Sequence, residues 1–165
     1  VLIDAIAKMK VQQPSARLPL VLIEGEGEKE EFLKGYVREK NLDGVIIFIG
    51  PEQNVFNFMN AVDIMVLPSI AQEDFPNVVI EAMSLGKPVI ASSIAGTPEQ
   101  ITHMRDGLLV EPGNSEELAR AIGTLAHDSE LRQVLASNAR EKFRECFSAQ
   151  KAVASYERIY EKLTA

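Results

Sequence analysis

A single cysteine, Cys146, stands in the 165 residues, so no disulfide can close within the chain. Such sparing use of cysteine suits a reducing compartment. Only two histidines occur, His103 and His127, far apart, and no Cys/His group has the spacing of a zinc site. No apolar run approaches the ~18 residues of a membrane span, and no stretch has the pattern of a signal peptide. Positive charge is in deficit: 17 Lys+Arg face 24 Asp+Glu, for a net charge of −7. A broad basic surface for nucleic acid or anionic lipid is thereby excluded, and the expected location is the cytoplasm. What is present is a 46% hydrophobic composition, enough for one domain with a sizeable core.

The chain opens on Val1-Leu2-Ile3-Asp4-Ala5-Ile6, a helical apolar period with no capping residue ahead of it. The expectation is a fragment, residues 1–165, that begins inside its first helix. Four apolar runs follow, Leu20–Ile23, Val45–Ile49, Ile64–Leu67 and Val89–Ala91, each separated from the next by a helical segment. That alternation predicts one parallel sheet with helices on both faces, a doubly wound, Rossmann-like α/β domain. A strand missing ahead of Val1 would leave an uncovered place in the sheet and make the fragment prone to self-association. The first inter-strand helix, about Glu28 to Lys40, should turn Phe32, Leu33 and Tyr36 or Val37 inward. From Asn114 the chain reads as a helical tail, with Asn114 and Glu117 in capping-box spacing. Ser129 is the expected cap of the next helix, with Leu131, Val134, Leu135, Ala139 and Phe143 inward. Ser148 is the expected cap of the last, where Tyr156 and Tyr160 read as a packing pair.

The most informative stretch is Glu73-Asp74-Phe75-Pro76-Asn77-Val78-Val79-Ile80-Glu81. One carboxylate falls on a turn after a strand. The other falls early in the helix that continues Ala82-Met83-Ser84-Leu85 and stops at Gly86. In open α/β sheets, ligands bind at that carboxyl end of the strands. The whole run, Glu73…Glu81-Ala82-Met83-Ser84-Leu85-Gly86-Lys87-Pro88-Val89, resembles the donor-binding motif of retaining GT-B glycosyltransferases of family four, the group 1 enzymes. The order of the other segments is similar too: Gly25-Glu26-Gly27 after one strand, Phe48-Ile49-Gly50 at the end of the next, Ala95-Gly96-Thr97-Pro98-Glu99, then Asp106-Gly107-Leu108-Leu109-Val110 and a helical tail.

The resemblance implies roles for particular residues. Glu81 would accept from the two ribose hydroxyls of a nucleotide; its ordinary reading is a solvated acid on a helix face. Glu73 would contact the transferred sugar and could stabilise positive charge at its anomeric carbon. Phe75, Asn77 and Val78 lie at a helix start, where free N–H groups suit phosphate. The family has Gly where Pro76 stands, and proline has no N–H to give, so Asn77 and Val78 must supply the amides. Gly50 marks the strand end beside the nucleobase. Gly25 reads equally as a close-approach loop or a plain tight turn. Its neighbours Glu26, Glu28, Glu30 and Glu31, with no third glycine, argue against a dinucleotide cofactor. Gly96 would let the chain pass close to a ligand, while Glu99 reads equally as a helix-start acid.

The resemblance therefore implies the C-terminal, nucleotide-sugar-binding half of a glycosyltransferase. It would move a sugar from a nucleotide diphosphate sugar to an acceptor hydroxyl with retention, and with no metal and no other cofactor. Asp-x-Asp, the metal signature of the other major glycosyltransferase fold, is absent. The expected partners are the donor, the protein's own N-terminal domain and an acceptor on a glycan, lipid or small molecule; peripheral membrane attachment would come through that N-terminal domain. The family's Arg/Lys pair is not found ahead of Val1-Leu2-Ile3-Asp4-Ala5, so the fragment alone is expected to be inactive. The rival readings are a nucleotide-binding or regulatory module without transfer activity, and another GT-B enzyme such as a sugar-nucleotide epimerase.

Overall fold

The computed structural model describes residues 1–71 and 73–164. Helix α1 (Leu2–Gln12) leads to strand β1 (Val21–Glu24), α2 (Glu30–Glu39), β2 (Ile46–Gly50), α3 (Val55–Ala61) and β3 (Met65–Leu67). Then come α4 (Asn77–Ser84), β4 (Val89–Ser92), α5 (Thr97–Gln100) and β5 (Leu108–Val110). The tail is α6 (Ser115–His127), α7 (Ser129–Lys142), a π-helical turn (Phe143–Phe147) and α8 (Ala149–Thr164).

All three strand pairings are parallel: β1 with β2, β3 with β4, and β4 with β5. Strand β4 lies between β3 and β5 and is buried along its whole length. Its side chains alternate between two cores, as a period of two requires. Ile90 packs with Ile6, Leu118, Leu125 and Leu135 of α1, α6 and α7. Val89 and Ala91 pack on the opposite face with Val79, Ala82 and Met83 of α4 and Ala139 of α7. Helices thus cover both faces, and each fully buried aliphatic side chain contributes about 1.5–3 kcal/mol.

The expected single sheet is divided. β1–β2 and β3–β4–β5 form two separate sheets. The Val21 N–H donates to Val45 O at 2.8 Å and the Met65 N–H to Pro88 O at 3.0 Å, so these residues face their own sheets. Alternation then turns the backbone groups of Leu22 and Val66 the other way, toward each other's sheet. Between the two edges runs an apolar slot of about 880 Å³ lined by Leu20, Leu22, Ile64 and Val66, with Phe58 and Ile122. β1 and β3 line this space and belong to separate sheets, so the four runs do not join.

Other local expectations are met or corrected by identifiable contacts. Helix α4 ends where Gly86 adopts φ +66°. There the Gly86 N–H donates to Met83 O and the Lys87 N–H to Ala82 O, the paired bonds that close a helix on a left-handed residue. Lys87 Nζ donates to Asn60 O and Val62 O, both at 2.9 Å, and ties off the end of α3. Asn114 caps α6 through the Glu117 N–H at 3.0 Å. The cap of α7 is Asp128, not Ser129: the Asp128 carboxylate accepts from the Leu131 N–H at 2.8 Å. A carboxylate is the better acceptor beside a helix N-terminus. Phe32 and Val134 point outward rather than in, and Tyr156 and Tyr160 of α8 are exposed rather than packed. Phe32 instead stacks on Tyr36 along the helix surface, with ring centroids 6.3 Å apart.

Candidate functional site

The parallel strands put every residue singled out above except Glu81 at or just beyond one edge of the sheets. Gly25 follows β1, Gly50 ends β2, Glu73 follows β3, and Gly96 follows β4. Two subsets are in contact. At the two-stranded sheet, the Gly25 N–H donates to Gly50 O at 3.0 Å, and both glycines have positive φ, +113° and +72°. Glu24, just before, accepts from the Glu52 N–H at 3.0 Å. At the three-stranded sheet, the Gly96 N–H donates to Asp74 O at 2.7 Å, joining the loop after β4 to the loop after β3. The slot separates these subsets, and its end at this edge is lined by Glu24, Pro68 and Val78.

Glu73 is half-buried, and its Oε1 accepts from Ser69 Oγ at 2.6 Å. That bond spans the turn between β3 and α4 and fixes one carboxylate oxygen. Pro76 stands at the N-cap of α4 and offers no side-chain cap. The Val79 N–H turns back to Pro76 O at 3.2 Å. The N–H groups of Asn77 and Val78, at the first two helical positions, have no intrahelical acceptor. Both amides therefore sit at the positive end of the α4 dipole, open to an acceptor. Glu81 is half-buried, one turn further along α4, and among the described residues no group hydrogen-bonds its carboxylate. Phe75 is exposed and meets Phe147 edge to face, with ring centroids 6.0 Å apart.

Gly96 lies against the loop that carries Glu73. Its φ is −80°, which any residue adopts. A Cβ built on it would lie 2.4 Å from Asp74 O and 2.7 Å from the Phe75 ring. Glycine is needed there for the close approach of another loop, the one that carries Glu73. Ala95, beside it, takes φ +49°, an uncommon conformation for a residue with a side chain. Gln100 was not singled out in the sequence. It is fully buried, and its Nε2 donates to Pro76 O at 3.0 Å. Nothing in the sequence marks it: it stands in the polar stretch Thr97-Pro98-Glu99-Gln100, beside the buried Ile101. Among the described residues no group of three or more His, Cys, Asp and Glu could hold a metal ion, and no helix is long and apolar enough to cross a membrane.

This arrangement pairs a fixed carboxylate with open helix amides at the ligand edge of a doubly wound domain, an arrangement suited to a charged, hydroxyl-rich molecule. Residues 1–142 match the family model described as glycosyl transferases group 1, and the chain belongs to that family. It is 34% identical over 158 residues to the N-acetyl-alpha-D-glucosaminyl L-malate synthase of Bacillus anthracis, covering 96% of this chain and 40% of that protein. It is 30% identical to the D-inositol 3-phosphate glycosyltransferase of Jonesia denitrificans, covering 96% of this chain and 39% of that one. The chain thus spans about 40% of the length of these relatives. Among solved structures, Anabaena HepE in complex with UDP-glucose superimposes with a TM-score of 0.84 at 30% identity, over 99% of this chain and 44% of HepE. The C-terminal domain of the group 1 protein LpcC from Francisella tularensis does so with a TM-score of 0.75 at 28% identity, over 89% of this chain and 77% of that domain. The fold is that of the C-terminal half of the GT-B architecture.

Proposed function

We propose that this domain holds the nucleotide diphosphate sugar in a retaining, metal-independent transfer to an acceptor hydroxyl, as the C-terminal half of a two-domain protein. The observation that carries the reading is the placement of Glu73, on the turn after β3, within five residues of the open Asn77 and Val78 amides at the start of α4, at the carboxyl edge of the sheet. The UDP-glucose complex of HepE, whose fold this chain shares, supports it. In such a transfer the bond between the anomeric carbon and the diphosphate oxygen breaks, and the diphosphate leaves with the electron pair. The acceptor oxygen forms the new bond and gives up its proton. Negative charge grows on the diphosphate and positive charge on the sugar. The α4 amides and dipole meet the first; the Glu73 carboxylate meets the second. Glu81 accepts from the ribose hydroxyls, and the Gly25 and Gly50 turns flank the base with backbone groups.

The remaining cation for the diphosphate, and the acceptor site, belong in this reading to an N-terminal domain that also carries any membrane attachment, in a cytoplasmic protein. The slot between β1 and β3 is read as the seat of a parallel strand ahead of Val1. The test uses the full-length parent with UDP-glucose and a panel of hydroxyl acceptors. Transfer should proceed with retained anomeric configuration and persist in EDTA, and residues 1–165 alone should transfer nothing above background. An inverted product refutes retention, an EDTA-abolished rate refutes metal independence, and titratable transfer by the isolated chain refutes the two-domain reading.

A further inference from the structure

We propose that Gln100 is a positioning residue that fixes the loop carrying Glu73 against the start of α4, an inference that rests on the donor-binding reading above. Gln100 is fully buried, so it cannot touch a ligand at the site's surface. Its Nε2 donates to Pro76 O at 3.0 Å, across 24 residues of sequence. Its Oε1 is a buried atom that finds no hydrogen-bond partner among the described residues. A buried amide with an unmet acceptor costs stability, and an apolar side chain would fill the place without that cost. Nor does Pro76 O need the bond for satisfaction, because it already accepts from the Val79 N–H at 3.2 Å. What the Gln100 amide adds is a restraint on where Pro76 sits.

That restraint works with its neighbours on the same element. Gly96, the N-cap of α5, donates to Asp74 O at 2.7 Å. Its missing Cβ lets the two loops lie in direct contact, since a Cβ would come within 2.4 Å of Asp74 O. Thr97 is buried, and its hydroxyl bonds Ile94 O, which makes the base of α5 rigid. The Phe147 ring also meets Phe75, edge to face. The carbonyls of Asp74 and Pro76 are therefore both held from α5 and bracket Phe75. Glu73 precedes the first held carbonyl and Asn77 follows the second. The carboxylate and the helix amides are thereby set relative to each other from α5.

The experiment compares wild type with Gln100→Leu, which removes both amide atoms at similar volume, and with Gly96→Ala. Thermal melting and amide hydrogen exchange are read on this chain. UDP and UDP-glucose binding are read by calorimetry on the full-length parent. Gln100→Leu should melt at or above the wild-type temperature, because the unmet Oε1 is gone. Exchange at the Gly96 amide should quicken by about tenfold as the loop loosens. UDP-glucose should bind about fivefold to tenfold more weakly, the size of one hydrogen bond's restraint. UDP keeps its contact with the α4 carboxylate but shares the α4 amides, so it should weaken as well, by clearly less than UDP-glucose does. Gly96→Ala should lower the melting temperature and show the same split between the two ligands. A lower melting temperature for Gln100→Leu with both ligands weakened alike would mean ordinary core packing and overturn the proposal. Unchanged Gly96 exchange would overturn it as well. A parent that binds neither ligand would sink the donor reading instead, while the exchange measurement would still judge the restraint.

Discussion

Replacing the two motif glutamates one at a time should separate nucleotide binding from sugar handling. Among the described residues no protein group hydrogen-bonds the Glu81 carboxylate. Glu81→Ala therefore strands no partner, and its cost should fall almost wholly on the ligand. A charge-assisted hydrogen bond contributes about 1.5–3 kcal/mol, so UDP affinity of the full-length parent should fall about 10- to 100-fold. A 2′-deoxy nucleotide should bind the parent less tightly but lose little more on Glu81→Ala, because the partner is already gone. Glu73 differs, because its Oε1 accepts from the half-buried Ser69 hydroxyl. Glu73→Ala frees that hydroxyl and should cost about 1 kcal/mol of stability, a fall in melting temperature of about 2–4 °C for a domain of this size. It should leave UDP affinity nearly intact and depress turnover, since its expected partner is the sugar. Calorimetry with UDP, initial rates and a melting curve on each variant give the full comparison. Normal UDP binding by Glu81→Ala, or equal loss of UDP affinity in both variants, would refute this division of labour. The two residues would then be solvated acids flanking a helix.

Two further outcomes are expected. The two unpaired strand edges facing the apolar slot of about 880 Å³ should make residues 1–165 self-associate, so sedimentation should show mass rising with concentration; a strict monomer at high concentration would count against it. Ala95→Gly should stabilise the domain by about 1 kcal/mol, because Ala95 holds φ +49° at the cost that a Cβ incurs there; a melting temperature that falls would show that the alanine methyl makes packing contacts worth more than the strain.

Much of the architecture was legible because it depends on short-range chemistry. The β1, β3, β4 and β5 runs are apolar segments bounded by turn residues, and Gly86 and Asn114 close and open their helices as their side chains allow. What could not be read depends on neighbours distant in sequence. The apolar stripes holding Phe32, Tyr156 and Tyr160 specify a helix face but not whether anything covers it. The division into two sheets is likewise a question of which strand lies beside which, and alternation of strands and helices does not answer it.

The site divides in the same way. Glu73, Glu81 and the Asn77–Val78 helix start were visible because the motif concentrates them within nine residues. Their support was not, because it arrives from 22 to 72 positions beyond the residues it touches, in Gly96, Gln100 and Phe147. Gly96 shows what sequence alone leaves out: the space at its missing Cβ is taken by Asp74 O and the Phe75 ring, a contact that no local pattern announces. Gly96 and Gln100 thus join the loop after β4 and α5 to Asp74 and Pro76, on either side of Phe75. The geometry of the carboxylate and the amides is therefore a property of the junction between β3 and β4 together, and substitutions in α5 should be read for their effect on that geometry before their effect on stability.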